Sequence, residues 1–490
     1  MADGTTEKFR KIASSTVSGT LWNYASFALS KGLTFISTII LARILAPEDF
    51  GLVAMGLVFI GYLEMLNELG VGHALIYHQG DVEEKSNVAF VMSVSVNVFL
   101  AVVAVFAAPL ASFLFHEPQV IPIIRALSIS FILSSLGSIH AARLKKELQF
   151  RKVFLPEFGR AAAKGLVSIT MALMGFGVWS LVLGQVAGVL ISNILYWIVV
   201  PWRPRLHFDP KVARSLLGYG SQIILVGIVG MIHKNVDYLI IGNRMDPEQL
   251  GFYTMAFRIP DLVILSVCYV VSTTLFPAFS KIQDNLVELR KGYLSSLKYI
   301  SLLTVPLAIG LYLLSSEIIT LFYSEKWSAS IPVMQMLCLY TLFYSLSFNA
   351  GDIYKAIGKP GILNLIGFFK LAVTIPVIWY TAGISIFAVA VGQAIVIAIF
   401  ALIELGLVSS IVSIRPTEIL HALLPALTGG AGLVIVVGMA YRSMSMFGDL
   451  GRLIVIPVIG IMFYAAMLWL IDRGTVLSVI DLLKTERGTS

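Results

Sequence analysis

Charged residues are scarce in this chain of 490 residues: they make up 13% of it, against 58% hydrophobic residues, and the mean hydropathy is +0.88. Soluble globular proteins carry about 25% charged residues, so a water-soluble fold of this length would lack polar side chains for its surface. There are only two cysteines, Cys268 and Cys338, and each lies in an apolar run, which excludes a disulfide-rich secreted class. The composition also excludes disordered, fibrous and soluble multidomain chains, and predicts a polytopic membrane protein.

The sequence also lacks the motifs of catalysis and nucleotide binding. It has no P-loop, no His/Cys spacing typical of a metal site and no Ser/His/Asp grouping. We therefore expect no enzyme activity, no catalytic residue, no metal and no cofactor. The net charge of +7 comes without a long basic run, so it does not indicate a nucleic-acid partner. In a membrane protein an excess of Lys and Arg more often reports orientation.

Long apolar stretches dominate the chain, and a membrane-spanning helix needs about 20 such residues. About fourteen stretches qualify, which predicts an all-α fold with short connections. They are residues 20–45, 50–75, 87–114, 119–141, 154–176, 178–200, 216–243, 250–278, 293–315, 328–356, 361–381, 383–409, 418–441 and 450–471. The breaks at 175–178 and 382–383 predict tight helical hairpins.

The charge of the connections predicts the orientation. With the N-terminus inside, most of the 35 lysines and arginines fall on inner connections, as the positive-inside rule requires. An even number of helices then places both termini in the cytoplasm. The polar first twenty residues contain no signal peptide, so we expect the first helix to act as an uncleaved insertion signal.

Two halves of the sequence repeat each other. Residues 46–51 read APEDFG and residues 246–251 read DPEQLG. Ile121-Pro122 recurs as Ile331-Pro332, and Gly184-Gln185 recurs as Gly392-Gln393. Three collinear matches at nearly constant offset indicate a unit of six helices, present twice in the same orientation, which is a known transporter layout.

The repeat predicts the domain organisation. It places an N-terminal lobe at 14–201, a cytoplasmic linker at 202–211, a C-terminal lobe at 212–412 and two extra helices at 413–475. The linker begins close to the basic, proline-containing stretch PWRPR at 201–205. Trp197 and Trp202 lie near span ends and are interpreted as anchors at the membrane interface.

Basic side chains inside the predicted spans are the main functional signal. Each costs about 2.5–3.5 kcal/mol on insertion scales, so such residues usually face a cavity or a partner. Alignment of the halves brings Lys31 within one turn of Lys234, and Lys164 within one turn of Lys370. We predict that this quartet lines a central cavity and binds an anion such as a phosphate or pyrophosphate. The full set of predicted substrate-binding residues is Lys31, Lys164, Lys234, Lys370, Arg160 and Arg258.

Internal ion pairs are the alternative role for these charges. Three pairs have the i,i+3 spacing of neighbours on a helix: Lys234 with Asp237, Arg258 with Asp261, and Glu157 with Arg160. By contrast, Lys31, Lys164 and Lys370 have no local acid. Asp237 is the best candidate for ion coupling because it is a deep carboxylate, although pairing with Lys234 would give it a simpler role.

Three stretches carry a family resemblance: LARILAPEDFGLVAM at 41–55, ELGVGHALI at 68–76 and LKKELQF at 144–150. They resemble the polysaccharide transporter family, the Wzx-type lipid-linked oligosaccharide flippases of the multidrug/oligosaccharidyl-lipid/polysaccharide superfamily. The likeness is greatest to the colanic-acid-exporter-like branch and strongest over residues 15–155. The resemblance fixes no individual binding residue.

The resemblance implies two six-helix lobes around a central cavity, plus two extra helices, in the bacterial inner membrane. It implies transfer of an undecaprenyl-pyrophosphate-linked oligosaccharide to the outer leaflet by alternating access, for exopolysaccharide or O-antigen-type assembly. The implied partners are this lipid-linked oligosaccharide, membrane lipids and the polysaccharide polymerase or export machinery.

Three other functions remain open. An ion-coupled exporter of drugs or organic cations with the same fold would favour a cavity rich in carboxylates, whereas deep basic residues outnumber acidic ones here. A membrane polymerase or glycosyltransferase would carry a long outer loop or a soluble domain, and the chain has neither. A scaffold without transport would not need the two-fold repeat.

Overall fold

The computed structural model describes residues 28–67, 75, 82–147, 149–443, 448–474 and 477, without the side chains of 215–229. This part of the chain is helical and contains no strand, so the predicted all-α class is confirmed. The beginning of the first predicted span and the end of the second lie outside the described residues. So do Lys8, Arg10 and Lys11, which precede the first span, and most of the stretch 68–76.

The described residues of the first half form seven long helices. α1 covers residues 28–44 of the described chain. The next six are α2 (Pro47–Asn67), α3 (Val82–Phe115), α4 (Val120–Lys146), α5 (Phe150–Leu173), α6 (Val178–Val199) and α7 (Pro210–Arg244). Local capping fixes the start of α7, because the carboxylate of Asp209 accepts a hydrogen bond from the backbone N–H of Lys211 at 2.7 Å.

The described residues of the second half also form seven long helices, with short helical turns at Ser315–Ile318, Ile319–Tyr323 and Glu325–Trp327 between the second and the third. The long helices are α8 (Pro247–Lys281), α9 (Leu286–Leu313), α10 (Ser330–Ala356), α11 (Gly361–Ala382), α12 (Ile386–Ile411), α13 (Pro416–Ser443) and α14 (Asp449–Ile471). A π-helical turn, Asp261–Leu265, interrupts α8 directly after Pro260, and such turns are frequent at functional sites. α12 begins at the side chain of Ser385, which accepts from the N–H of Ala388 at 3.0 Å.

Ten of the helices in the described chain are long and apolar enough to cross a membrane. They are α3, α4, α6 and α8 to α14. α5 differs because Glu157, Arg160 and Lys164 lie in its middle turns. The chain is therefore a multi-pass membrane protein.

The chain divides into two compact units, Met1–Gly251 and Phe252–Ser490. The first contains α1 to α7 and the first residues of α8, and the second contains the rest of α8 and α9 to α14. The predicted domain limits follow the sequence repeat, and they stay predictions.

The two copies of the repeated Pro-Glu motif meet within the first unit. A Cβ atom on Gly51 would lie 1.7 Å from the carbonyl oxygen of Pro247, and one on Gly251 would lie 2.0 Å from that of Pro47. The contact is reciprocal, as expected for two related hairpins that cross at a local two-fold axis. Only glycine permits the backbones to approach so closely.

The repeated Gly-Gln pairs both lie in tight helical hairpins, as the breaks in the sequence predict. In the α5–α6 hairpin, a Cβ on Gly184 would lie 1.9 Å from Oγ of Ser168. In the α11–α12 hairpin, a Cβ on Gly392 would lie 2.9 Å from a methyl group of Val377. In both copies, glycine allows the second helix to pack closely against the first.

Trp202 is buried by the protein and does not face lipid. It is 9% exposed and packs edge-on against Phe90 and His140, at centroid distances of 6.2 and 5.1 Å. Its interpretation as an exposed anchor in the lipid is therefore wrong. The linker also docks on α3, because the N–H of Arg205 donates to Oδ1 of Asn87 at 2.9 Å.

Candidate functional site

Three predicted site residues lie on two neighbouring helices of the first unit. α1 packs against α5 where a Cβ on Gly165 would lie 2.2 Å from Oγ of Ser37. Lys31 is six residues before Ser37, which is about 9 Å along α1. Arg160 is five residues before Gly165, which is about 7.5 Å along α5, and the two helices run in the same direction. Lys164 lies one turn beyond Arg160. We call Lys31, Arg160 and Lys164 the α1–α5 basic group.

The α1–α5 basic group is accessible. Lys31 and Arg160 are exposed and Lys164 is half-buried. Arg160 forms no ion pair in the described part of the chain. Its predicted partner Glu157 instead accepts a hydrogen bond from the hydroxyl of Tyr196 on α6, at 2.9 Å. The i,i+3 alternative is therefore wrong for Glu157 with Arg160.

Three hydroxyl side chains of α1 donate to its own backbone. Thr34, Ser37 and Thr38 donate their hydroxyl protons to carbonyl oxygens one turn earlier, at 2.8 to 2.9 Å. Ser37 and Thr38 are buried, whereas Thr34 is half-buried, so of these three it is Thr34 whose hydroxyl oxygen is open to a polar ligand. Asn23 and Ser26, which precede them at helical spacing in the sequence, lie outside the described residues.

Lys234 and Asp237 lie near the end of α7, in the first unit. Lys234 is exposed and forms no ion pair among the described residues, so its predicted alternative as the partner of Asp237 is wrong. Asp237 is 8% exposed, and its Oδ1 accepts from the N–H of Tyr238 at 2.9 Å. It lies close to Tyr62 of α2.

Arg258 lies on α8 in the second unit, half-buried, one turn before the π-helical segment that begins at Asp261. A π-turn changes the direction in which the side chains after it point, relative to a regular helix. The sequence signal for this irregularity is Pro260, which lacks the N–H of a regular turn.

Lys370 is not the unpaired cation that the sequence predicts. Its Nζ lies 3.0 Å from Oε1 of Glu404 on α12, with 9% and 13% of the two side chains exposed. The ammonium also lies 5.9 Å from the ring centroid of Tyr344 and 5.7 Å from that of Phe400. The prediction of an unpaired ammonium at Lys370 is therefore wrong, and its role in substrate binding stays a prediction.

The six predicted substrate-binding residues are thus divided between the units. Lys31, Arg160, Lys164 and Lys234 belong to the first unit, and Arg258 and Lys370 belong to the second. The partner of Lys370 was missed because Glu404 is 34 residues away in sequence. The sequence signal for this partner is the acidic residue in the other helix of the predicted hairpin. Whether it lies level with Lys370 depends on the register of α11 against α12, which the sequence does not give.

Comparison with known proteins identifies the family. The family model described as "Polysaccharide biosynthesis protein" matches residues 40–332, more than half of the chain. The chain belongs to this family. The resemblance that the sequence motifs carry is thereby confirmed.

Relatives with named roles support the same assignment. The lipopolysaccharide biosynthesis protein WzxC of Escherichia coli is 25% identical over 369 residues, which cover 74% of each chain. The succinoglycan biosynthesis transport protein ExoT of Rhizobium meliloti is 26% identical over 322 residues, 65% of this chain and 64% of that protein.

The fold is that of a solved flippase. The lipid II flippase MurJ, in its inward closed conformation, superposes with a TM-score of 0.77. The match covers 93% of this chain and all of MurJ, with 17% identity. At this identity the likeness shows a shared fold and carries no information on substrate.

Proposed function

We propose that this protein is a flippase that moves an undecaprenyl-pyrophosphate-linked oligosaccharide from the inner to the outer leaflet of the bacterial inner membrane. The named relatives act in polysaccharide biosynthesis and transport, and the fold is shared with a lipid flippase. Alternating access would carry the charged head group across while the lipid tail stays in the bilayer. The product would enter exopolysaccharide or O-antigen-type assembly.

One observation carries the proposal: the α1–α5 basic group lies within helices that contribute to a membrane bundle. Lys31, Arg160 and Lys164 supply two ammonium groups and one guanidinium for the oxygens of a pyrophosphate. Charge-assisted hydrogen bonds of this kind are shorter and stronger than neutral ones. The hydroxyl oxygen of Thr34, which is half-buried on α1, suits a hydroxyl group of the sugars.

Lys234, Arg258 and Lys370 are secondary candidates in this proposal. Lys234 is exposed and forms no ion pair in the described chain, so it is able to contribute directly. Lys370 would have to leave Glu404 before it bound an anion, so we expect a smaller direct contribution from it. Asp237 is the residue that we propose for ion coupling, because it is a buried carboxylate in a membrane helix.

The test is a set of single variants, Lys31→Gln, Arg160→Gln and Lys164→Gln. The purified proteins would be placed in proteoliposomes with a fluorescent polyprenyl-pyrophosphate oligosaccharide. Flipping is read as the fraction of fluorescence that an impermeant quencher reaches. We expect each variant to slow flipping about tenfold or more, as the loss of one charge-assisted hydrogen bond predicts.

The matched control is Arg125→Gln. Arg125 is an exposed basic residue on α4 of the same unit and lies outside the proposed site. We expect it to flip at the rate of the parent protein. If all three site variants flip at that rate with normal folding, the α1–α5 basic group does not bind the cargo.

The same vesicles test the second candidate function, an ion-coupled exporter of organic cations. Gradient-dependent uptake of a fluorescent organic cation, together with no movement of the lipid-linked oligosaccharide, would replace the flippase proposal. The positive charge of the α1–α5 basic group disfavours that outcome, because it repels cationic drugs.

A further inference from the structure

A cavity of about 400 Å3 lies in the first unit, where α4 ends, α5 begins and the chain leaves α6. Its volume falls in the range of small-molecule sites, about 300–1,000 Å3. The lining residues that matter for binding are Arg143, Glu147, Gln149, Lys152, Pro201 and Trp202.

Two cations of this cavity have no acidic partner in the part of the chain that the structure describes. The guanidinium carbon of Arg143 lies 4.9 Å from the ring centroid of Trp202, and Nη1 donates to Oγ of Ser86 at 3.2 Å. These contacts orient the guanidinium. Within the described residues, neither Arg143 nor Lys152 forms an ion pair. The acid on the cavity wall, Glu147, is exposed, and its Oε2 accepts from the side-chain amide of Gln149 at 2.6 Å.

Trp202 adds a buried hydrogen-bond donor. Its indole is 9% exposed, and its N–H is buried without an acceptor among the described residues. An indole nitrogen donates only, and a buried unsatisfied donor is destabilising. An acceptor that entered the cavity would satisfy it.

We propose that this cavity binds the phosphate group of a membrane lipid. A phosphate offers several acceptor oxygens and a negative charge, which fit one guanidinium, one ammonium and one indole N–H. Leu144, Val199 and Val200 form an apolar wall for the adjoining carbons of the lipid. The cavity lies at helix ends, where lipid head groups lie, and basic pockets between such ends are typical lipid sites.

This site is separate from the residues proposed to bind the cargo, and it does not rest on the proposed function. Lys152 and Lys164 lie on the same helix, twelve residues apart, which is about 18 Å along its axis. A lipid phosphate in the cavity would contact the ends of α4 and α5 and the chain after α6. It would therefore fasten the linker to the first unit.

The experiment is a native mass spectrometry titration of the full-length protein in detergent. The probes are dioctanoyl phosphatidylglycerol, a short polyprenyl pyrophosphate, dioctanoylglycerol without a phosphate, and inorganic phosphate. We expect a saturable lipid adduct with at least one of the first two probes and none with dioctanoylglycerol. A preference for phosphatidylglycerol identifies a structural phospholipid, and a preference for the polyprenyl probe identifies the lipid of the cargo.

Three variants locate the adduct. Lys152→Gln removes an exposed side chain that makes no ion pair, so it leaves folding intact, and we expect about tenfold weaker binding. Arg143→Gln together with Lys152→Gln should abolish the adduct. Trp202→Phe replaces the indole by a smaller aromatic ring without an N–H, and should weaken binding by about threefold to tenfold.

The matched control is Lys145→Gln with Lys211→Gln. Both lysines are exposed on the same side of the unit, and neither lines the cavity. The control loses as much charge as the double variant, and it should bind as the parent does. Two results overturn the proposal: equal binding by Lys152→Gln and the parent, or adducts with dioctanoylglycerol or inorganic phosphate but with neither lipid phosphate.

Discussion

The buried pair of Lys370 and Glu404 shows how far single residues are predictable. The sequence places both charges inside membrane helices, where an isolated ion is costly, and so predicts that each needs a partner or a cavity. It does not show that they meet. Their 3.0 Å contact depends on the register of two packed helices, which three-residue spacing rules cannot supply.

The α1–α5 basic group is a second example. The sequence identifies Lys31, Arg160 and Lys164 separately, as charges in apolar stretches. That their helices are neighbours follows from the contact between Ser37 and Gly165, two small residues whose packing has no signature in hydropathy. Trp202 is a third example. A tryptophan at a span end usually marks the membrane interface, and only the packing shows that Trp202 is buried beside His140.

Removal of one partner of the buried pair should destabilise the second unit. Lys370→Met leaves the Glu404 carboxylate without a counter-ion, at a cost of about 3–5 kcal/mol. The double variant Lys370→Met with Glu404→Leu replaces two charges with apolar groups and should recover most of that loss. The measurement is the midpoint of thermal unfolding in detergent.

The control for this prediction is Arg290→Met. Arg290 also contacts an acid, Glu418, but about a third of each of these two side chains is exposed. Exposed pairs contribute about 0–1 kcal/mol, so its unfolding midpoint should hardly move. An unchanged midpoint for Lys370→Met would show that water reaches the buried pair.

At the scale of the element, apolar length predicts most of the fold. The described part of the chain has a helix at each of the fourteen predicted stretches, and the hairpin breaks before α6 and α12 are where glycine interrupts the pattern. The predicted ends of the helices are less accurate than their number and order. α3 begins at Val82, whereas its apolar stretch begins at 87, because the polar first turn continues the helix beyond the membrane. Hydropathy indicates the part of a helix that lies in the membrane, whereas capping residues indicate where the helix begins.

The α5–α6 hairpin should be sensitive to a single added methyl group. Gly184→Ala places a Cβ 2.8 Å from the carbonyl oxygen of Lys164 and 1.9 Å from Oγ of Ser168. Because backbone atoms cannot rotate away, the helices must separate, at a cost of about 1–3 kcal/mol. The unfolding midpoint should fall accordingly, and Lys164 should move away from its place in the basic group.

Gly438→Ala is the matched control, since a Cβ at Gly438 in α13 has no other atom within 4 Å. Replacing a helical glycine by alanine in open space should stabilise by about 0.5–1 kcal/mol. If both glycine variants unfold at the same temperature, close packing of α5 on α6 is not what requires Gly184.

At the scale of the whole molecule, the sequence repeat has a physical counterpart. The two Pro-Glu motifs are 200 residues apart in the chain and touch reciprocally through Gly51 and Gly251. The repeat predicts that the motifs are related by symmetry. It does not predict that the motifs touch, because the offset between two repeats in sequence does not show which of the related elements lie against each other.

We predict the orientation of the chain from an unequal distribution of charge. Among the described residues of the first unit, basic side chains lie mainly at one set of helix ends. These are Lys85, Arg143, Lys145, Lys146, Arg151, Lys152, Arg203, Arg205, Lys211 and Arg214. The opposite ends in the same part of the chain have Arg43 and Arg244. The positive-inside rule assigns the first set to the cytoplasm.

Cysteine labelling tests this orientation with little background, because the native Cys268 and Cys338 are both buried. His207→Cys introduces an exposed thiol on the basic side, and Gln119→Cys introduces one on the opposite side, without any change in basic residues. In spheroplasts, an impermeant maleimide should label Gln119→Cys but not His207→Cys. In inverted vesicles the two results should exchange. Labelling of His207→Cys in spheroplasts would reverse the assigned topology, and with it the leaflet from which the cargo is taken.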